Sequence, residues 1–286
     1  MNELTQGKLL DLQIKANIAR ELVIKMLLEA GSGHSAGPLG MADIFTAFYF
    51  HILHHDPKIP NMVDRDRVVL SNGHICPIRY AVMAMAGYFP EEELQTLRKI
   101  NSRLQGHPHR TALPGLETTS GPLGEGLGQS VGIALAGRLD KKDYYVYALT
   151  SDGEHEEGST WEAAMIAGKY KLNHLIQVID YNNIQIDGKV DDIMPLEPFR
   201  AKYESFNWEV IDVDGNDIAT FLNAVEKAKT IQDKPIIIIA HTIPGKGVSF
   251  MENDYKWHGM PPNEEQAQKA LAELQIIGAK LECERK

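Results

Sequence analysis

A chain of 286 residues with a formal net charge of −10 is long enough for one large domain or two small ones. It is too acidic to have nucleic acid as its main partner, because phosphate-backbone binding relies on clustered Lys and Arg. Its two cysteines, Cys76 and Cys283, lack Cys-x-x-Cys spacing, which excludes a disulfide framework and a cysteine-based zinc site and fits a reducing cytoplasm.

The charged residues Glu3, Lys8, Asp11, Lys15 and Arg20 interrupt the start of the chain, so it does not have the pattern of a signal peptide. The longest aliphatic run, Ile236 to Ile239, is far too short to span a bilayer. No membrane partner is expected. Leu9, Leu12, Ala16, Ala19, Val23, Met26 and Leu27 recur at three-and-four spacing, predicting an amphipathic helix over 5–30 that Gly31 ends. A glycine-rich loop around His34 follows, from Gly31 to Gly40, and 41–53 reads as a buried helix. Residues 68–71 form a short apolar strand that ends in Asn72, Gly73 and His74, and 78–87 reads as a helix. Pro90 followed by Glu91, Glu92 and Glu93 suits a helix amino terminus and its dipole, predicting a helix to about Ile100. The loop over 101–121, with His107 inside it, is long enough to suggest function. For each of His34, His74 and His107 the ordinary alternative is a loop connection or a structural hydrogen-bonding residue.

Gly121, Pro122, Leu123 and Gly124 lead into a small-residue helix over 129–139. Gly124-x-Gly126 is not a dinucleotide fingerprint, because no strand precedes it. Lys246 lacks the spacing of a nucleotide P-loop. Strands are predicted at 144–149, 175–180, 208–213 and 235–241, and helices at 160–172, 197–206, 218–230 and 263–274. Trp161, Ala164, Ile166 and Ala167 are taken as packing positions. Such alternation predicts a doubly wound α/β fold with a mostly parallel sheet of five to six strands and helices on both faces. Without a linker or internal repeat, residues 1–286 read as a single domain.

The most informative stretch is 149–188. One apolar run ends at Asp152-Gly153, and a second, Leu175 to Ile179, ends near Asn182. Neighbouring parallel strands would leave both tips at the sheet edge where open α/β folds bind ligands. Asp152 and Asn182 fit two readings. They can be helix caps and turn closures, or they can be ligands of a hard cation such as Mg²⁺. Backbone N–H groups at the helix start, Gly153 among them, favour an anion, while Glu154, Glu156 and Glu157 repel a bare phosphate. A cation bridging acid and phosphate reconciles the two.

The pair Ser151-Asp152-Gly153 and Asn182, about thirty residues apart, is similar to the motif of thiamine diphosphate enzymes. Ser32-Gly-His34, Leu70 to His74, Gly121 to Gly124 and Glu157 to Trp161 resemble the amino-terminal half of transketolases, and the likeness runs from about residue 10 to 275. The resemblance implies thiamine diphosphate and a metal, Mg²⁺ or else Ca²⁺ or Mn²⁺, held by Asp152, Asn182 and the Ile184 carbonyl. His74, Gly121, Pro122, Leu123, Gly153, Asn182 and His258 would contact the cofactor. His34, His107 and His258 would face the sugar, and Glu157 would lie between two cofactor sites. Histidines titrating near neutrality suit the proton movements of ketol transfer, and the thiazolium ring carries the rest.

Two departures matter. Ser151 replaces a glycine of the motif, and no second α/β run supplies the pyrimidine-binding or third domain. The resemblance therefore implies an amino-terminal subunit of a split transketolase, inactive without a carboxyl-terminal partner. It would act on small sugar phosphates, with pentose phosphates as the default, as an α2β2 heterotetramer. The alternatives are a specialised sugar transketolase, a deoxyxylulose-phosphate synthase or dehydrogenase type of thiamine enzyme, and a non-catalytic cofactor-binding module.

Overall fold

The computed structural model describes residues 4–285. The first amphipathic stripe is α1 (Gln6–Ala30). The Thr5 hydroxyl caps it by accepting from the Lys8 N–H at 3.2 Å, and Gly31 closes it at φ 60°.

The glycine-rich stretch beyond is more helical than its composition suggests. Helices α2 (Ala36–Gly40) and α3 (Ala42–Ala47) run through it into a π-turn at Phe48–Ile52, where the sequence predicts one helix over 41–53. Close packing explains the glycines. A Cβ on Gly37 would lie 2.8 Å from Ile75 Cγ2, and one on Gly40 would lie 2.9 Å from the Ile243 carbonyl oxygen.

After β1 (Arg67–Leu70) come a 3₁₀ turn at Gly73–Ile75 and α4 (Cys76–Ala86). The helix expected from Pro90 to Ile100 is instead a 3₁₀ segment, Glu91–Thr96. Its one buried side chain is Leu94, Glu93 is drawn off by Arg103 at 2.8 Å, and Arg98 turns the chain at φ 61°. No apolar stripe holds a longer helix to the core.

The remaining elements alternate as predicted: α5 (Glu125–Leu139), β2 (Val146–Ser151), α6 (Gly158–Tyr170) and β3 (Leu175–Tyr181). A small hairpin that the sequence pattern hides, β4 (Ile184–Gln185) and β5 (Gly188–Lys189), precedes α7 (Val190–Ile193) and α8 (Phe199–Ser205). Then come β6 (Glu209–Asp214), α9 (Ile218–Lys229), β7 (Ile236–His241) and α10 (Glu264–Glu284). The last helix starts at an Asn263–Gln266 capping box and runs ten residues past the expected end at Leu274. Burial stops at Leu274, but strong helix formers continue. Ile166, expected to pack, is 43% exposed on the outer side of α6.

The five main strands pair in the order β1-β2-β3-β7-β6, every neighbouring pair parallel. One face packs on α1, α3, α4, α9 and α10, the other on α5, α6 and α8. The progression β1-β2-β3 reverses at β6-β7, which leaves a switch point between β3 and β7. Open sheets bind ligands outside the strand carboxyl ends at such a point. Asp152 follows β2 there, and Ser151 is in register with Asp180.

Candidate active site

A cavity of about 330 Å³ opens above this edge. His34, His74, His107, His258, Gly121, Leu123, Gly153, Asn182 and Ile184 all line it, from seven separate chain segments. Pro122 is exposed beside it, and Asp152 is buried beneath its wall at 2% exposure. Glu157 is exposed, just ahead of α6 and outside the cavity lining.

Three of the histidines form a triangle. Ring centroids stand 4.8 Å apart for His34–His74, 5.2 Å for His74–His258 and 5.4 Å for His34–His258. The Ser35 hydroxyl donates to the Met260 carbonyl at 2.6 Å and ties the His34 loop to the His258 loop. Among the described residues, none of the four cavity imidazoles has a hydrogen-bond partner on its ring nitrogens, whereas His55 and His155 have both of theirs satisfied. Burial lowers the titration of His34 to about 4, with His258, Arg98 and His107 adding to it, and burial lowers His258 to about 4. His74 is pushed well down and His107 down, chiefly by burial. The cluster is neutral at pH 7, so each ring offers one donor and one acceptor.

Below the histidines lies an acidic corner. Burial first and Asp180 second push the Asp152 carboxyl up to about 7, and burial pushes Asp180 up to about 7. Asp152 accepts from the Gly153 N–H at 2.8 Å and the Asn183 N–H at 2.5 Å. The Gly153 N–H thus points at the carboxylate of its chain neighbour, where the sequence reading has it donating to the cofactor. Asn182 donates from Nδ2 to Asp180 at 2.8 Å and accepts at Oδ1 from the Ile184 N–H at 3.0 Å. The Thr242 hydroxyl donates to Asp180, bridging β3 to the chain beyond β7.

Sequence reasoning missed Asp180, although a carboxylate at the end of an otherwise apolar run was its signal. It also did not foresee the donors gathered around Glu154. This side chain stands at the cavity wall, yet it is buried and accepts from the Ser71 hydroxyl, the Gly124 N–H at 2.7 Å and the Ser151 N–H at 3.2 Å.

His155 is a structural neighbour of the site. Its ring meets the Ser151 carbonyl at 2.7 Å and the Tyr203 hydroxyl at 2.8 Å, and burial holds it near 4 against the usual 6.5. On acidification the unfolded chain takes up a proton that the folded chain refuses, so this group's contribution is whole above pH 6.5 and is lost from 6.5 towards 4. The buried carboxylates act in the opposite sense, so parent and variant must be compared. His155→Gln should cost about 2 kcal/mol at pH 7, yet lose stability less steeply below pH 6.5. Urea unfolding across that range measures both, and parallel pH dependences would refute the assignment.

Fold and cavity together define an α/β domain with a polar ligand site at its topological switch point. A family model described as the thiamine diphosphate-binding domain of transketolase matches residues 12–278. The chain is 42% identical over 270 residues to a 6-deoxy-6-sulfo-D-fructose transketolase subunit of Clostridium sp. (strain MSTE9), covering 94% of this chain and 98% of that one. It is 38% identical over 279 residues to an apulose-4-phosphate transketolase subunit of Phocaeicola vulgatus, covering 98% of each. The solved transketolase of Campylobacter jejuni superposes with a TM-score of 0.88 at 35% identity, over 96% of this chain but 43% of that one. The chain belongs to the transketolase family, as its thiamine diphosphate-binding domain. It spans less than half of the solved transketolase chains and matches the separate subunits nearly end to end.

No helix among the described residues is long and apolar enough to cross a membrane.

Proposed function

We propose that this chain is the cofactor-binding subunit of a two-chain transketolase, moving a two-carbon ketol unit from a ketose to an aldose. The supporting observation is the set of four cavity imidazoles, neutral and without protein partners on their ring nitrogens, above a buried acidic corner. A cation fits that corner, because Asp152 and Asp180 are both buried and, among the described residues, neither is paired with a positive side chain. Among the described residues no three His, Cys, Asp or Glu side chains are placed to hold a metal ion between them. Asp152, the Asn182 amide oxygen and the Ile184 carbonyl would therefore share Mg²⁺ with the cofactor's phosphates, as is usual for that ion.

When bound, thiamine diphosphate supplies a thiazolium ring that carries the two-carbon unit. His74, His258, Asn182, Gly153 and the Gly121–Leu123 loop would seat it. His34, His107 and His258 would hold the sugar and move its hydroxyl protons. Neutral imidazoles suit this work, because they accept from a hydroxyl and donate to a developing oxyanion without a prior change of charge. Exposed Glu157, at the start of α6, is free to meet a neighbouring subunit. The relatives named for 6-deoxy-6-sulfo-D-fructose and apulose 4-phosphate favour a ketose with a terminal anion, and their being named as subunits favours a partner chain; our reading places the two in an α2β2 assembly whose partner carries the remaining domains. Turnover should be blank for the purified chain with cofactor, Mg²⁺ and anionic ketoses, including pentose phosphates, and appear when the partner is added. Turnover by the chain alone would overturn the two-chain reading.

A further inference from the structure

His34 and His107 share a local design: each follows a glycine, and both glycines lie beside one side chain, Arg98, with Gly33 also packed on Leu27, whose Cδ2 would be 2.6 Å from a Cβ there. A Cβ on Gly106 would stand 2.7 Å from Arg98 Nε and 2.9 Å from its Cζ, and one on Gly33 would stand 3.3 Å from Nη1. The guanidinium is therefore packed against the backbone of both Gly-His steps, with no room for a methyl group on the Gly106 side. Its own backbone is pinned. Arg98 holds φ 61°, and its N–H donates to the Leu104 carbonyl at 2.9 Å, closing the turn that leads to Gly106. The neighbouring cations are spent on carboxylates, Lys99 on Glu29 and Arg103 on Glu93, whereas Arg98 has no carboxylate partner among the described residues.

We propose that Arg98 is a positioning residue for the reaction: its planar guanidinium, seated between Gly33 and Gly106, fixes the spacing of the two loops that present His34 and His107 to the cavity. The inference rests on the assignment of those histidines to the sugar. A rigid plate is what the position requires, since it must touch two backbones from one side chain, which a flexible ammonium does less well. The cation also opposes a second positive charge on either ring. The other titratable groups near the rings are His74 and His258, both held down by burial, and beside Arg98 stands Cys76, which donates to the Gly106 carbonyl and whose thiol burial pushes up to about 12. All three stay neutral at pH 7, so Arg98 is the permanent charge of the cluster.

Arg98→Gln, Arg98→Lys and Gly106→Ala, each in the complex with the partner subunit, test this. Arg98→Gln should lower kcat by about tenfold or more, as misplaced catalytic groups do, while leaving the cofactor Kd unchanged. Gly106→Ala should give a similar loss by pushing the guanidinium off its seat, and the double variant should be no worse than the single ones. Histidine NMR of the full chain needs no activity. There Arg98→Gln should raise the His34 and His107 titrations by roughly half a unit, the size of one screened charge at this range, and Arg98→Lys should preserve them while losing part of kcat. Unchanged kcat with unmoved titrations in Arg98→Gln would overturn the proposal, as would additive losses in the double variant. A parent complex with no ketol transfer would overturn the functional reading instead, and the NMR result would still decide the role of Arg98.

Discussion

Asp152→Ala is expected to weaken Mg²⁺-dependent binding of thiamine diphosphate by at least about 100-fold, because it removes the one charged side-chain ligand proposed for the cation. The same change should leave the melting temperature of the ligand-free chain nearly where it was. Without a cation, Asp152 is held with its carboxyl near 7 by burial and by Asp180, so its ionised form is disfavoured. Against this stand two hydrogen bonds, from the Gly153 and Asn183 N–H groups, each worth about 1 kcal/mol net. Removing the carboxylate gives up those bonds and relieves the buried like-charge contact, and the two effects are of similar size. Asp152→Asn separates charge from shape, since it keeps one acceptor oxygen in place and should lose nearly as much affinity. Calorimetry with and without Mg²⁺, beside a thermal melt, measures both quantities. Parent-like affinity in Asp152→Ala would sink the metal assignment.

What the sequence conveyed depended on how local the cause was. Strands such as Ile236–His241 and Leu175–Tyr181 are legible because burial on both faces writes a continuous apolar run. The polar tips of β2 and β3 follow from that, and with them the corner at Asp152 and Asn182. Causes that act through the fold were not legible. Gly37 and Gly40 look like loop residues until Ile75 and Ile243 are seen against them. The six-residue turn after Pro90 carries good helix-start residues, and only the missing apolar stripe and the Glu93–Arg103 pair show why it stops. The late half of α10 has helix propensity without burial, so periodicity ends ten residues before the helix does. At the site, the family resemblance singled out the histidines, and residue type alone left each with a structural alternative, because their grouping depends on loops far apart in sequence. Asp180 pairs with Asn182 itself, and Arg98 packs beside the glycines that precede His34 and His107, contacts about which the motif spacing is silent.

Glu154 carries the largest expected effect on stability, and for a reason that its place in the sequence does not show. It stands one residue after Gly153, where an acid would oppose a phosphate, yet its side chain turns inward and is 1% exposed. There it joins three segments: Ser71, just after β1 and three residues before His74; Gly124, at the end of the loop that begins with Gly121; and Ser151, at the tip of β2. Burial pushes its carboxyl up to about 7 while these donors pull it down, so the ionised form is tolerable only with all three in place. Glu154→Ala leaves two backbone N–H groups buried without acceptors and should cost roughly 3 kcal/mol or more. Glu154→Gln keeps the shape and one acceptor oxygen, turns an amide NH₂ against one donor, and should cost about half as much. Because the clamp sets the distance between the His74 turn and the Gly121–Leu123 loop, cofactor affinity should fall in the same order as stability. Urea unfolding and calorimetry on the two variants check the ranking. A Glu154→Ala chain as stable as its parent would show that these three segments are held together by something else.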